Sequence, residues 1–132
     1  RELFDELNGF DETFFVYYEE MDFSYRASLI GFRSYYETSI NAYHFGGGTT
    51  ENIKSQRIFY SLRSRILYSI KHMNFFGVIV CVFSTLIIEM ISRTVFLSIS
   101  KRSFSQFRES SKAYIKLIGW FGRYLFSKIT FR

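Results

Sequence analysis

Between Met73 and Ile88 the chain runs for sixteen residues without a charge, with Asn74, Ser84 and Thr85 as its polar side chains. No other stretch limits the fold so strongly, because so much continuous apolar surface must be covered by protein or by lipid. As a helix it would measure roughly 24 Å, short of the roughly 30 Å hydrocarbon core of a bilayer. Glu89 and Arg93 then interrupt it at a spacing that lets them pair, and Val95 to Ile99 resumes it. Basic residues flank both ends, so the positive-inside rule sets no orientation. A helix lying in one leaflet and a true span both fit.

Charge divides the chain at about the same place. Residues 1–51 carry ten acids against three bases (Arg1, Arg26, Arg33), a balance of −7. Residues 52–132 carry two acids, Glu89 and Glu109, against fourteen bases, a balance of +12. An acidic site on one side and an anionic surface partner on the other would account for this. The long apolar run argues against nucleic acid as that partner. Cys81 is the only cysteine. It lies in the apolar run, which reads as an inert buried thiol. The chain opens at Arg1, inside an already patterned segment, and holds no proline. Both features lead us to expect a piece of a longer protein.

Local signals order the rest. Asn8-Gly9 is a strong turn dipeptide that should end a short first element, and Asp11 can cap a brief turn through Thr13 and Phe14. Glu19, Glu20 and Asp22 crowd the predicted first turn of a helix, where carboxylates meet unpaired amides and the macrodipole. Phe23, Ala27 and Ile30 follow at helical spacing, Asp22 and Arg26 lie one turn apart, and Gly31 is a natural stop. Phe32 to Tyr36 and Ile40 to Phe45 read as two short strands leading to the Gly46-Gly47-Gly48-Thr49-Thr50 loop. From about Glu51 the period is helical again, with Ile58, Leu62, Ile66 and Ile70 in one stripe. The final stretch, Lys112 to Arg132, mixes Trp120, Phe121, Leu125, Phe126 and other apolar residues with five bases and no acid. That is the composition of an interfacial amphipathic helix; a helix packing its apolar face on another part of the protein is the alternative.

The ordered set Asn8 to Phe15, Tyr17 to Arg26, Gly31-Phe32 and His44 to Thr49 resembles glycosyltransferase family 2, in particular its rhamnosyltransferase-type branch, over about residues 1–72. The resemblance implies an α/β fold: residues 1–52 as the C-terminal part of a GT-A nucleotide-sugar transferase domain, and residues 53–132 as a basic, hydrophobic, membrane-associated helical region. It implies an enzyme moving a sugar, with inversion, from a nucleotide-diphospho-sugar to a lipid-linked or polysaccharide acceptor in bacterial cell-surface glycan synthesis. The expected location is the cytoplasmic face of the inner membrane, peripheral or integral. The nucleotide-binding strands and the Asp-x-Asp motif holding a divalent metal (Mg2+ or Mn2+) would lie upstream, so this piece alone would be inactive. A non-catalytic membrane-binding module, or an inactive relic of such an enzyme, is the alternative.

Carried over residue by residue, the family's acidic motif falls on Glu19 to Asp22. Its second acid, usually Asp and here Glu20, is the general base on the acceptor hydroxyl, with Glu19 able to share that role. Asp22 would be a supporting carboxylate orienting the site or Arg26. His44 matches a metal- or diphosphate-contacting histidine, and Gly46 and Gly47 would lie beside the diphosphate. Asp11 and Glu12 read as turn residues, with an acceptor-facing position as the alternative. The chemistry suits these types. A sugar hydroxyl becomes a competent nucleophile when a carboxylate accepts its proton, and backbone amides at a glycine turn can approach phosphates closely. Without the resemblance, three acids at a helix start would read as a capping cluster.

Overall fold

The structure, a computed structural model, describes residues 1–43, 53–99 and 104–130. These form helices α1 (Glu2–Glu6), α2 (Glu19–Leu29), α3 (Lys54–His72), α4 (Phe75–Phe83), α5 (Glu89–Ile99) and α6 (Phe104–Thr130), with a π-helical turn at Ser84–Ile88 joining α4 to α5. The described residues contain no strand, so the arrangement is all-α and the α/β expectation is corrected. Residues 32–43 have the aromatic content of strands but run exposed and irregular, with Tyr35 and Tyr36 facing solvent. An extended segment is held by backbone bonds to a neighbour, and among the described residues none lies alongside. Instead Ser39 N donates to Glu37 Oε1 at 2.9 Å, which folds the segment into a turn.

The turn and stop signals are where the sequence put them. Asn8 and Gly9 both take positive φ, 56° and 70°, and end α1. A Cβ at position 9 would come within 3.0 Å of the Phe4 ring, so glycine is needed there for space as well as conformation. Gly31, at φ 92°, closes α2 with paired bonds, Phe32 N to Ala27 O at 3.1 Å and Gly31 N to Ser28 O at 3.1 Å. This Schellman pattern satisfies carbonyls that the helix end would leave unpaired. Asn74 caps α4 by accepting from Gly77 N at 2.9 Å.

α3 is the axis of the molecule. Its Leu62 and Ile66 meet Tyr114 and Leu117 of α6, with Ile58, Phe59, Ile70, Val82, Leu86, Met90, Trp120 and Phe121 packed around them. Register contacts give the directions. Cys81 Sγ lies against Arg65 O, while Arg63 covers the Trp120 ring at 5.5 Å. α4 therefore runs back along α3, and α6 runs beside α3 in the same sense. The predicted α3 stripe is thus the core-facing one. α6 buries Ala113, Tyr114 and Leu117 against this chain and leaves Ile115, Ile118, Phe126 and Ile129 exposed.

The apolar run is a helix, and a longer one than the sequence indicated. Phe75–Phe96 is continuous over 22 residues with mean hydropathy 2.3, long and apolar enough to cross a membrane. Only 6% of its apolar window is buried in the protein. The interrupting charges do not break it, because Arg93 Nη2 binds Glu89 Oε1 at 2.7 Å and Arg65 of α3 takes the other carboxylate oxygen.

Candidate active site

The acidic motif opens α2, and it is approached by an unusual backbone. Tyr17 and Tyr18 both take left-handed conformations, φ 66° and 73°, at a cost of about 1–2 kcal/mol each for residues with a side chain. Contacts to α3 hold them there. Ser64 Oγ donates to Val16 O at 2.9 Å, Arg57 Nε donates to the Tyr17 hydroxyl at 3.3 Å, and the Tyr18 and Tyr68 rings meet at 5.5 Å. Tyr18 is the N-cap residue and offers no side-chain cap. The first amides of α2 thus have no side-chain cap, and the acids of the first turn stand beside them.

The motif's three acids have different surroundings. Glu20 is exposed and makes no hydrogen bond or ion pair among the described residues. Glu19 is half-buried, and its Oε2 is shielded from solvent with no hydrogen-bond partner. Asp22 is 0% exposed and receives Arg26 Nε at 2.8 Å on Oδ2 and Lys71 Nζ at 2.6 Å on Oδ1, with His72 Nε2 also 2.6 Å from Oδ1. Burial alone would raise the Asp22 carboxyl, but hydrogen bonds from Lys71, His72 and Arg26 outweigh it and hold the group below the usual carboxylate range.

Asp22 is the hub that ties three segments together. Lys71 Nζ reaches on to Asp11 Oδ2 at 2.6 Å. That bond, followed by the one from Thr13, lowers Asp11 to about 2. Arg26 donates Nη1 to Leu7 O at 2.6 Å and Nη2 to Gly9 O at 2.7 Å, clamping the turn after α1. Burial would lower Lys71, but its bonds to Asp11 and Asp22 raise it above its ordinary value. Around this network Phe4, Phe10 and Phe23 pack ring to ring, and Tyr25 and Tyr68 flank His72 at 4.6 and 4.7 Å.

Glu19, Glu20, Asp22 and Arg26 therefore share one helix end, with Asp11 joined to them through Lys71. Glu12 stands apart on the exposed turn. His44, Gly46 and Gly47 lie outside the described residues. Lys71 and His72 were not singled out from the sequence. Their one local signal is that of cations closing a helix, and nothing in a separation of about fifty residues from Asp22 points to contact. Among the described residues no three His, Cys, Asp or Glu side chains converge as a metal would require. Asp11 and Asp22 are taken up by cations, and the unpartnered Glu19 oxygen has no companion ligands. These residues do not make a metal site.

No protein-family model matches the chain, and no solved structure does. It is similar to rhamnosyltransferase WbbL of Escherichia coli (strain K12), 32% identical over 65 residues that make up 49% of this chain and 25% of that protein. The chain thus spans about a quarter of the length of the curated relative it matches. The likeness is to a glycosyltransferase and reaches half of the chain.

Proposed function

We propose that this chain is the acceptor-side part of a glycosyltransferase working at a membrane surface, with Glu20 as its general base. The carrying observation is the pairing of an exposed, unpartnered Glu20 with a buried Asp22 in one motif, in a chain similar over half its length to a rhamnosyltransferase. Glu20 accepts the acceptor hydroxyl proton as that oxygen forms its bond to the anomeric carbon. The bond from that carbon to the nucleoside diphosphate breaks, its electron pair leaves with the diphosphate, and the configuration inverts. Asp22, Arg26, Lys71 and His72 contribute rigidity, holding the helix end that carries the base. Glu19, half-buried beside it, is the alternative base. The acceptor proposed is a lipid-linked or polysaccharide glycan.

In the full-length protein, Glu20→Gln should lower turnover by about 10²–10⁴-fold, the usual share of a general base, while donor binding measured by calorimetry is kept. Glu20 touches nothing the fold needs, so loss of activity there is not loss of structure. Undiminished turnover in Glu20→Gln, with collapse in Glu19→Gln, would transfer the role to Glu19; undiminished turnover in both would remove it from the motif.

The membrane reading rests on packing. At about 33 Å, Phe75–Phe96 has the length to span. But it connects α3 to α6, and a single crossing would put those two partners of one core on opposite sides. Taking all three helices across would carry Arg57, Arg63 and Arg65 through lipid at about 2.5–3.5 kcal/mol per charge near the centre. An α4–α5 helix lying along one leaflet, on the cytoplasmic face, avoids both costs. Tags at the two chain ends should therefore be cleaved by protease from the same side of sealed vesicles; cleavage of one end only would sink this orientation.

A further inference from the structure

The structure holds a second site, along the N-terminal half of α3, whereas the Asp22 network engages the C-terminal end of that helix. A cleft of about 570 Å³ opens between α3, α5 and α6, and Lys54, Arg57 and Arg93 stand on its walls with Glu109. It adjoins a groove of about 420 Å³ between α5 and α6, with Arg93 and Ser110 lining both. The groove is apolar, walled by Met90, Val95, Phe107 and Ile118. We propose that the two together bind a single anionic phospholipid, the phosphate held in the cleft by Lys54, Arg57 and Arg93 and an acyl chain laid along the groove.

Charge is the first reason. Among the described residues Lys54 has no carboxylate partner, and Arg57 is bonded only to the Tyr17 hydroxyl. Arg93 is tied to Glu89, yet its side chain stays 41% exposed. Glu109 is already matched by Lys112 at 2.9 Å. The cleft therefore keeps positive charge that nothing in the described protein neutralises, and it offers guanidinium groups suited to phosphate oxygens. Continuity is the second. Ile87, Ile88, Ile91, Val95 and Phe96 form an exposed apolar strip beside the groove, so a helix seated in a leaflet brings lipid to its mouth. A diffuse basic surface predicts weak, unsaturable attraction, whereas this geometry predicts one occupied position.

This inference rests on the membrane reading above but is tested without a bilayer. Dihexanoyl phosphatidylglycerol, kept below its micelle concentration, is titrated into the complete chain and binding is followed by calorimetry. The expected result is one saturable site per chain, weakened at least tenfold in Lys54→Ala/Arg57→Ala and in the groove-filling Ile118→Trp. Lys116→Ala/Lys128→Ala, which removes the same charge from outside the cleft, should bind like the parent. The zwitterionic phosphatidylcholine homologue should not bind measurably, and inorganic phosphate should bind far more weakly. Equal weakening by both charge-removing pairs would reduce the site to a diffuse field and overturn the proposal. So would phosphate binding as tightly as the lipid, or no lipid binding at all. Sedimentation with purely zwitterionic vesicles tests the apolar face independently, so failure of the membrane reading is seen separately.

Discussion

Replacing Asp22 by Asn separates scaffold from chemistry in the acidic motif. The side chain keeps its shape but loses the charge that Arg26, Lys71 and His72 converge on inside a fully buried position. Breaking a buried ion pair on one side costs about 3–5 kcal/mol, and the lower end, about 3, applies here because the cations keep other partners. Lys71 retains Asp11, and Arg26 retains the Leu7 and Gly9 carbonyls. For a chain of this size that is a fall in Tm of roughly 10–15 °C, read by circular dichroism of the solubilised protein. The deficit also has a pH signature. Asp11 and Asp22 are both lowered in the folded state, so their stabilisation is present above the unfolded carboxylate value, about 4, and is lost as pH falls through the folded values. The Asn variant should thus differ most from the parent at neutral pH and converge on it as pH falls through the lowered Asp22 value. A variant that melts within about 2 °C of the parent, a shift too small for a lost buried ion pair, yet transfers no sugar would refute the reasoning and make Asp22 a chemical group.

Other perturbations probe other parts. Leu117→Ala removes a fully buried side chain between α3 and α6 and should cost about 2–5 kcal/mol in urea unfolding. Gly31→Ala meets no neighbouring atom, so its loss, about 1 kcal/mol, is purely conformational; an unchanged urea midpoint would argue against the left-handed cap. Glu89→Gln leaves Arg65 and Arg93 facing one another and should destabilise by about 1–3 kcal/mol, with partial recovery in Glu89→Gln/Arg93→Met.

What was legible in the sequence was local. The Asn8-Gly9 turn, the Gly31 stop, the Asp22–Arg26 pair and the α3 stripe each depend on residues within about a turn of one another, and each formed. The strands expected at 32–36 and 40–45 did not form over residues 32–43, positions 44 and 45 lying outside the described residues, because a strand is completed by a neighbour and aromatic content cannot show whether one is there. The apolar run is interrupted in the sequence at Glu89 and Arg93 and resumes at Val95; their predicted pairing, joined by Arg65 from α3, lets one helix continue through the interruption. The candidate site was half legible. Its acids stood out at a helix start, but which of them is buried was decided by Lys71 and His72 from a distant helix.

The π-helical turn at Ser84–Ile88 acts on everything downstream of it as a phase slip. Such a turn accommodates one residue more than an α-turn, and a residue is worth about 100° of rotation. The side of α5 that looks toward α3 and α6 is therefore chosen by that extra residue and not by the apolar pattern alone. Deleting one residue from Ser84–Ile88 would leave hydropathy and length nearly unchanged. It would swing Glu89 off Arg65 toward lipid and turn Arg93 out of the cleft. Two parts of the molecule that meet at Arg93, the ion pair that lets the helix continue and the cationic wall above the groove, are thus set by one angular offset.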